Sequence, residues 1–266
     1  MNTIVHGDCA VVLQSFPDNS IDFIITSPPY GTQRNYGGFD FDFETIAKQL
    51  YRVLKKGSAM VWVIGDKTED GSESLESFRQ ALYFKEIGFK MHDTMIYQKN
   101  GTSFPNLESH KRYMQCFEYM FVLSKGKLQK WNPLKDRKNK YDNSIKSTHV
   151  RDRKTDKVTY RKNNIKYHEY NLRYNVWLYD TGYMKSSKDK IAFEHPAIFP
   201  EKLVEDHIKS WSDPGDLILD PFMGSGTTAK IALMNGRNFI GIESNLNYIN
   251  IINKRIEPYL KQEKLL

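Results

Sequence analysis

The sequence predicts an α/β protein built on a doubly wound, mostly parallel sheet. Three observations carry that expectation. Short apolar runs of strand length alternate with segments of helical period. Two of the runs, IDFIITSPPYG (21–31) and DLILDPFMGSGTT (216–228), end abruptly in turns rich in proline or glycine. One polar stretch, 125–190, interrupts the alternation and shows little apolar periodicity of its own.

TIVHG (3–7) reads as the first strand and IDFIIT (21–26) as the second. Ile21, Phe23, Ile24 and Ile25 form the kind of run that a parallel sheet covers on both faces. Pro28 and Pro29 then remove two N–H donors in succession and fix φ, so pairing stops there. Phe43, Ile46, Ala47, Leu50, Val53 and Leu54 recur at helical spacing, with Asp42 as N-cap and Gly57 past the end. SAMVWVIGD (58–66) is a strong strand. Residues 73–87 read as a helix with Leu75, Phe78, Leu82 and Ile87 on or near one face. MHDTMIYQ (91–98) and FEYMFVLS (117–124) read as two further strands, expected to pair. A helix at 201–211, the strand DLILD, a helix at 227–235 and the strand NFIGIES (238–244) complete the series. These make seven strands, joined through helices by right-handed crossovers. The expected organisation is one α/β domain from residues 1–124 and 191–266, with 125–190 as an insertion.

Composition narrows the class. The chain has 266 residues, 39% of them hydrophobic and 27% charged, as in ordinary globular proteins. No window approaches 18 apolar residues, and the start MNTIVHGD has no basic leader, so neither a membrane span nor a secretory signal is expected. Two cysteines, Cys9 and Cys116, exclude a disulfide framework and fit a reducing, cytoplasmic setting. The seven histidines lack ligand spacing, so no metal is expected. The net charge of +7 is unevenly placed: residues 125–170 hold fifteen Lys/Arg against five Asp/Glu, a net of +10, which leaves −3 elsewhere. Trp131, Tyr141, Tyr160, Tyr167 and Tyr170 interleave with these charges. Basic residues among aromatics are the footprint of nucleic-acid contact.

The glycine loop after DLILD opens a helix, and Gly224 and Gly226 let backbone approach a ligand closely. Thr227 or Thr228 is expected to cap that helix. No Lys-Ser/Thr pair follows the second glycine, so this is not a P-loop, and a third glycine of a dinucleotide fingerprint is missing. Asp220 before the loop and Glu243, 17 residues after Gly226, flank it with acids. Such a pair suits a ligand carrying a positive charge and a ribose, whose two hydroxyls a carboxylate can accept.

Together TSPPY and DPFMGSGTT resemble the S-adenosylmethionine-dependent DNA amino-methyltransferases, which methylate N4 of cytosine or N6 of adenine. Ser27-Pro28-Pro29-Tyr30 is similar to their catalytic signature. Asp220-Pro221-Phe222, with Gly224, Ser225, Gly226 and Thr227, is similar to their cofactor loop. The order here, catalytic motif, basic insertion, cofactor loop, resembles the β-type, circularly permuted arrangement. The resemblance implies a Rossmann-like methyltransferase sheet, S-adenosyl-L-methionine as cofactor, and a target-recognition role for 125–190. It implies Asp8 near the cofactor's adenine edge. It also implies that HPAIFPEKL (195–203) closes over the methionine end, with Pro200 and Glu201 opening a helix toward the carboxylate. The implied partner is double-stranded DNA, and a cognate restriction endonuclease and a homodimer are further partners the resemblance admits.

The chemistry follows from the residues. An exocyclic amine is a poor nucleophile because its lone pair is delocalised into the ring. Ser27 Oγ and the Pro28 carbonyl are two acceptors for its N–H groups, and they would localise that lone pair while Tyr30 stacks on the base. The amine then attacks the sulfonium methyl, helped mostly by positioning and electrostatics. The base must first flip out of the duplex, and the loop 31–40, with three glycines, is placed to move over it. Neither cysteine sits in the Pro-Cys context of a cytosine-C5 enzyme. In the family the motif resembles, Ser rather than Asp at the first position is associated with cytosine N4, so the resemblance implies cytosine N4, with adenine N6 as the alternative. Methylation of RNA or of a protein glutamine, and an inactive DNA-binding homologue, are more distant readings.

Overall fold

The structure is a computed structural model, and it describes residues 2–29, 41–101, 111–140, 147–162 and 168–263. The chain forms two compact units: Met1–Asn132 with Asn175–Leu266, and Pro133–Tyr174. The smaller unit is narrower than the expected insertion, because both of its flanks belong to the larger one. The buried Lys125 ammonium donates to Asn19 Oδ1 and to the Leu54 carbonyl, each at 2.9 Å. The Asn132 amide donates to the Ser210 carbonyl at 2.8 Å.

An eight-stranded sheet organises the larger unit. Its strands are β1 (Thr3–His6), β2 (Ile21–Thr26), β3 (Leu54–Ile64), β4 (Lys90–Lys99), β5 (Phe117–Ser124), β6 (Val176–Tyr179), β7 (Leu217–Asp220) and β8 (Asn238–Glu243). Their spatial order is β1-β8-β7-β2-β3-β5-β4-β6. β5 runs antiparallel to β3 and β4, and the other pairings are parallel. Seven of these are the expected strands. The eighth, β6, lies inside the stretch assigned to the insertion. It is a four-residue edge strand that alternates exposed Val176 and Leu178 with buried Trp177 and Tyr179.

β2 is central, and Phe23, Ile24 and Ile25 are 0% exposed. Burial of each such side chain stabilises by about 2 kcal/mol. The chain leaves β2 through helix α2 (Phe43–Val53) to β3 on one side. It leaves β7 through a helix at Thr227–Met234 to β8 on the other. The two crossovers diverge, so a crevice opens between the carboxyl ends of β2 and β7, the place where open α/β sheets bind ligands. Asp42 caps α2 by accepting from the Thr45 amide at 3.1 Å, and Ile46, Ala47, Leu50 and Val53 are its buried stripe.

The helix expected at 73–87 forms at Glu76–Glu86, but its inward face is not the apolar one. Leu75, Phe78 and Leu82 are exposed, whereas Ser77, Gln80, Ala81 and Phe84 are buried. Two polar contacts turn it. Asp66 accepts from the Ser77 amide at 3.0 Å and from its hydroxyl, and the buried Trp62 indole donates to Gln80 Oε1 at 2.8 Å. A buried indole N–H requires a partner, and Gln80 supplies it.

Among its described residues the smaller unit holds two antiparallel pairings, Arg137–Lys138 with Tyr170–Asn171, and Ser147–Arg151 with Val158–Lys162. Exposed Tyr160 packs on His149 with ring centroids 4.3 Å apart, and the Arg137 guanidinium lies 4.4 Å from the Tyr174 ring centre. Tyr141 and Tyr167 lie outside the described residues.

Candidate active site

Thr26 ends β2 and Asp220 ends β7, and the two strands pair at Ile218↔Phe23 and Leu219↔Ile24. The Thr26 hydroxyl donates to Asp220 Oδ1 at 2.6 Å. This bond staples TSPP to DPFMGSGTT, segments 194 residues apart in sequence. Both loops open onto one cleft of about 1190 Å³ in the larger unit. Ser27, Pro28 and Pro29 line it from one side; Pro221, Phe222, Gly224, Ser225 and Thr227 line it from the other. Asp8, Pro200 and Glu243 line it too. Tyr30 and the loop 31–40 lie outside the described residues.

Asp220 is 2% exposed, and its donors are all groups of the protein. Besides Thr26 it accepts from the Thr228 hydroxyl at 2.6 Å and the Phe222 amide at 3.0 Å. Burial pushes its carboxyl above the usual carboxylate range, and the three donors pull the other way. Its place is therefore that of a clamp under the glycine loop. The clamp predicts a contrast between two variants. Asp220→Ala leaves two hydroxyls and an amide without their acceptor and should cost about 3 kcal/mol or more in urea unfolding. Asp220→Asn keeps an acceptor and removes the buried charge, so it should fall within about 1 kcal/mol of wild type. A carboxyl raised in the folded state contributes stability at low pH and loses it as pH rises through the folded value. The Asn variant should accordingly gain on wild type as pH climbs out of the ordinary carboxylate range. Equal tolerance of Ala and Asn would remove the clamp.

The Glu243 carboxylate receives the Gly224 amide at 2.8 Å and the Asn245 amide at 2.9 Å. Burial pushes it up as well, against those two amides. A carboxylate offers about four acceptor directions, so it retains capacity toward the cleft. Asp8 caps the short helix Cys9–Val12, accepting from the Ala10 amide at 2.7 Å. Cys9 behind it is 7% exposed, and burial pushes its thiol up to about 12, away from the thiolate that attack at cytosine C5 requires.

Three expectations change. Gly226 does not line the cleft: its φ is +82°, and a Cβ there would lie 2.8 Å from Ile252 Cγ2. The glycine is required by the packing of the loop against the C-terminal helix α6 (Leu246–Glu263), not by a ligand's approach. Neither Thr227 nor Thr228 caps the following helix, whose N-cap is Gly226 with no side-chain bond. Thr228 is held by Asp220 instead. Glu201, which opens the helix Glu201–Trp211, turns its carboxylate away from the cleft, to Lys230 at 2.9 Å and Arg255 at 2.7 Å. Its amide donates to the Ser186 carbonyl at 2.9 Å.

Sequence reasoning overlooked an aromatic pair in the cleft lining. His195 and Tyr248 approach with ring centroids 4.3 Å apart, and both line the cleft. A Cβ at Gly224, where φ is +53°, would sit 3.1 Å from His195 Nε2, so the first glycine of the loop is the one that makes room within the site. The stretch HPAIFPEKL contains His195, but nothing local marks Tyr248 as its neighbour. Phe222 also has a structural part, packing edge-on to Phe41 at 5.6 Å and Trp62 at 6.2 Å.

Comparison with known proteins shows what the chain as a whole is similar to. A family model described as "DNA methylase", for N6 and N4 methyltransferases, matches residues 21–254. The orphan methyltransferase M.BamHII of Bacillus amyloliquefaciens is 53% identical over 249 residues, covering 93% of this chain and 92% of that protein. The DNA adenine methyltransferase YhdJ of Escherichia coli (strain K12) is 31% identical over 270 residues, covering 96% of this chain and 82% of the relative. Among solved structures, the M1.HpyAVI–SAM complex superposes with a TM-score of 0.63 at 25% identity, covering 96% of this chain and 99% of the other.

Proposed function

The chain belongs to the family of S-adenosylmethionine-dependent DNA methylases that act on N4 of cytosine or N6 of adenine, and from that premise we propose that it is a site-specific enzyme for cytosine N4. One observation carries the reading: Ser27, at the first position of the catalytic motif, lines the same cleft as the glycine loop, at the carboxyl ends of adjacent strands. Ser27 Oγ and the Pro28 carbonyl are the acceptors for the two amine hydrogens, and Tyr30 stacks on the extruded base. Adenine N6 is the second reading, favoured by the name of the E. coli relative.

The cleft residues fit the cofactor. Gly224 presents no side chain, Glu243 keeps acceptor capacity for the ribose hydroxyls, Phe222 offers an aromatic face, and Asp8, which also lines the cleft, is assigned to the adenine edge. When bound there, S-adenosylmethionine supplies a methyl group already activated on a sulfonium. Ser225, Thr227 and Pro200 complete the seat. The site needs no strong base, because the methylated amine is itself very acidic, and rate comes mostly from positioning and electrostatics.

Residues 133–174 carry thirteen Lys/Arg and five Asp/Glu, which supports a role in holding target DNA. Replacing the exposed Arg153, Lys154 and Lys157 together with alanine should weaken duplex binding and flatten its salt dependence, by about 0.9 in logarithmic slope for each phosphate no longer neutralised. An unchanged slope would take this segment out of the DNA interface. The proposal includes a second copy of the chain as partner and work in the cytoplasm; among the described residues no helix is long and apolar enough to cross a membrane. It also includes a cognate restriction endonuclease, against which the word "orphan" in the name of the 53% identical relative weighs. Transfer of labelled methyl to duplex DNA, RNA and protein, compared side by side, tests the substrate class. Label in DNA alone is expected.

A further inference from the structure

Behind the glycine loop lies a cluster of charges that the reaction does not use. Arg255, on α6, has a side chain that is 0% exposed. A guanidinium keeps its charge wherever it is placed, so its partners must satisfy it. Nε donates to Asp189 Oδ2 at 3.0 Å and Nη2 to Glu201 Oε1 at 2.7 Å. Lys230, with a side chain 5% exposed, reaches the same two carboxylates at 2.9 Å each. Two cations and two carboxylates balance. Balance alone is weak evidence of stability, since buried ion pairs often do no better than apolar residues of similar volume.

The remaining donors of Arg255 set it apart from Lys230. Nη1 donates to the Ser225 carbonyl at 2.6 Å, to Ser225 Oγ at 3.1 Å and to Thr227 Oγ1 at 3.2 Å. Ser225 and Thr227 line the cleft, while Arg255 does not. Gly224 and Gly226, on either side of Ser225, both hold positive φ, and no side chain caps the helix that follows. The loop's shape therefore depends on groups outside it. One planar fork fastens the back of the loop and, through Glu201, the start of the helix whose N-cap Pro200 also lines the cleft. A lysine could keep the charge but could not span these directions at once.

We infer that Arg255 is the positioning residue of the cofactor seat, setting the distance between the glycine loop and the Pro200 wall without touching the ligand. The inference rests on the reading of the glycine loop as that seat.

Calorimetric titration of S-adenosylmethionine into the full chain, with thermal unfolding of the same samples, tests it in three variants. Arg255→Lys should keep the fold and raise the cofactor Kd about tenfold or more, the size expected for loss of charge-assisted bonds. Its kcat at saturating cofactor should stay within about twofold of wild type, so that the loss appears in KM. Asp189→Asn weakens the same cluster on the side away from the loop. It should lower the unfolding midpoint and leave the Kd unchanged. Equal loss of affinity in Asp189→Asn would reduce Arg255 to a general stabiliser and overturn the inference. Wild-type affinity in Arg255→Lys overturns it too, and Gly226→Val then separates the two levels. If that variant has lost the cofactor, the glycine loop remains the seat and only the role of Arg255 falls. If it also binds normally, the seat itself is misplaced.

Discussion

Gly226→Val should abolish detectable binding of S-adenosylmethionine and lower the unfolding midpoint. The backbone at Gly226 is left-handed, at φ +82°, which a β-branched residue adopts at a cost of about 1–2 kcal/mol. Space is the larger obstacle. The first added carbon would lie 2.8 Å from Ile252 Cγ2 and 3.0 Å from Cγ1, and Ile252 is 0% exposed in a packed helix. Relief requires the loop to lift or α6 to move, and α6 carries Arg255, which fastens the loop from behind. Either movement displaces Ser225 and Thr227 from the cleft wall. Gly215→Ala separates the causes: Gly215 has a φ of +89° with nothing within 4 Å of its added carbon. That variant should show the conformational cost alone and bind cofactor normally. Retention of full cofactor affinity by Gly226→Val would contradict the loop's assignment.

Tyr30→Ala should lower turnover on duplex DNA about 10- to 100-fold while the cofactor Kd stays put. The magnitude follows from the value of an aromatic ring stacked on a base, about 1–3 kcal/mol. The direction follows from place in the chain. Tyr30 comes two residues after Pro28 in the motif that begins at Ser27, whereas most of the residues assigned to the cofactor follow β7 and β8 in the chain. Loss in kcat without change in cofactor affinity is the signature of an interaction with the base. A variant that turned over at the wild-type rate would end the stacking role, and one that lost cofactor binding would move Tyr30 to the other half of the site.

The legible parts of this protein are those encoded locally. Ile21–Ile25 followed by two prolines reads as a buried strand with a rigid end, and DLILD followed by glycines reads as a strand with a ligand loop. The rule that open sheets bind ligands where crossovers diverge then predicts their meeting, which the Thr26–Asp220 bond makes concrete. What the sequence hides depends on partners far away in the chain. The helix Glu76–Glu86 turns Ser77 and Gln80 inward because Asp66 and the Trp62 indole require them, a demand no periodicity records. Val176–Tyr179 is too short and too half-exposed to stand out from a basic stretch. Gly226 reads in sequence as a gap for a ligand, and only the packing of Ile252 shows which side of the loop needs the space. Arg255 lies 30 residues beyond Ser225, on an amphipathic helix where an arginine is unremarked.

The identity of the methylated nucleoside decides the reaction outright. Duplex DNA is incubated with the purified protein and isotopically labelled S-adenosylmethionine, hydrolysed to nucleosides and resolved by mass spectrometry. The label is expected in N4-methylcytosine, sharply reduced in the Tyr30→Ala variant and absent in Gly226→Val. Label in 5-methylcytosine, or DNA that stays unlabelled while RNA or protein takes up the methyl group, would contradict it.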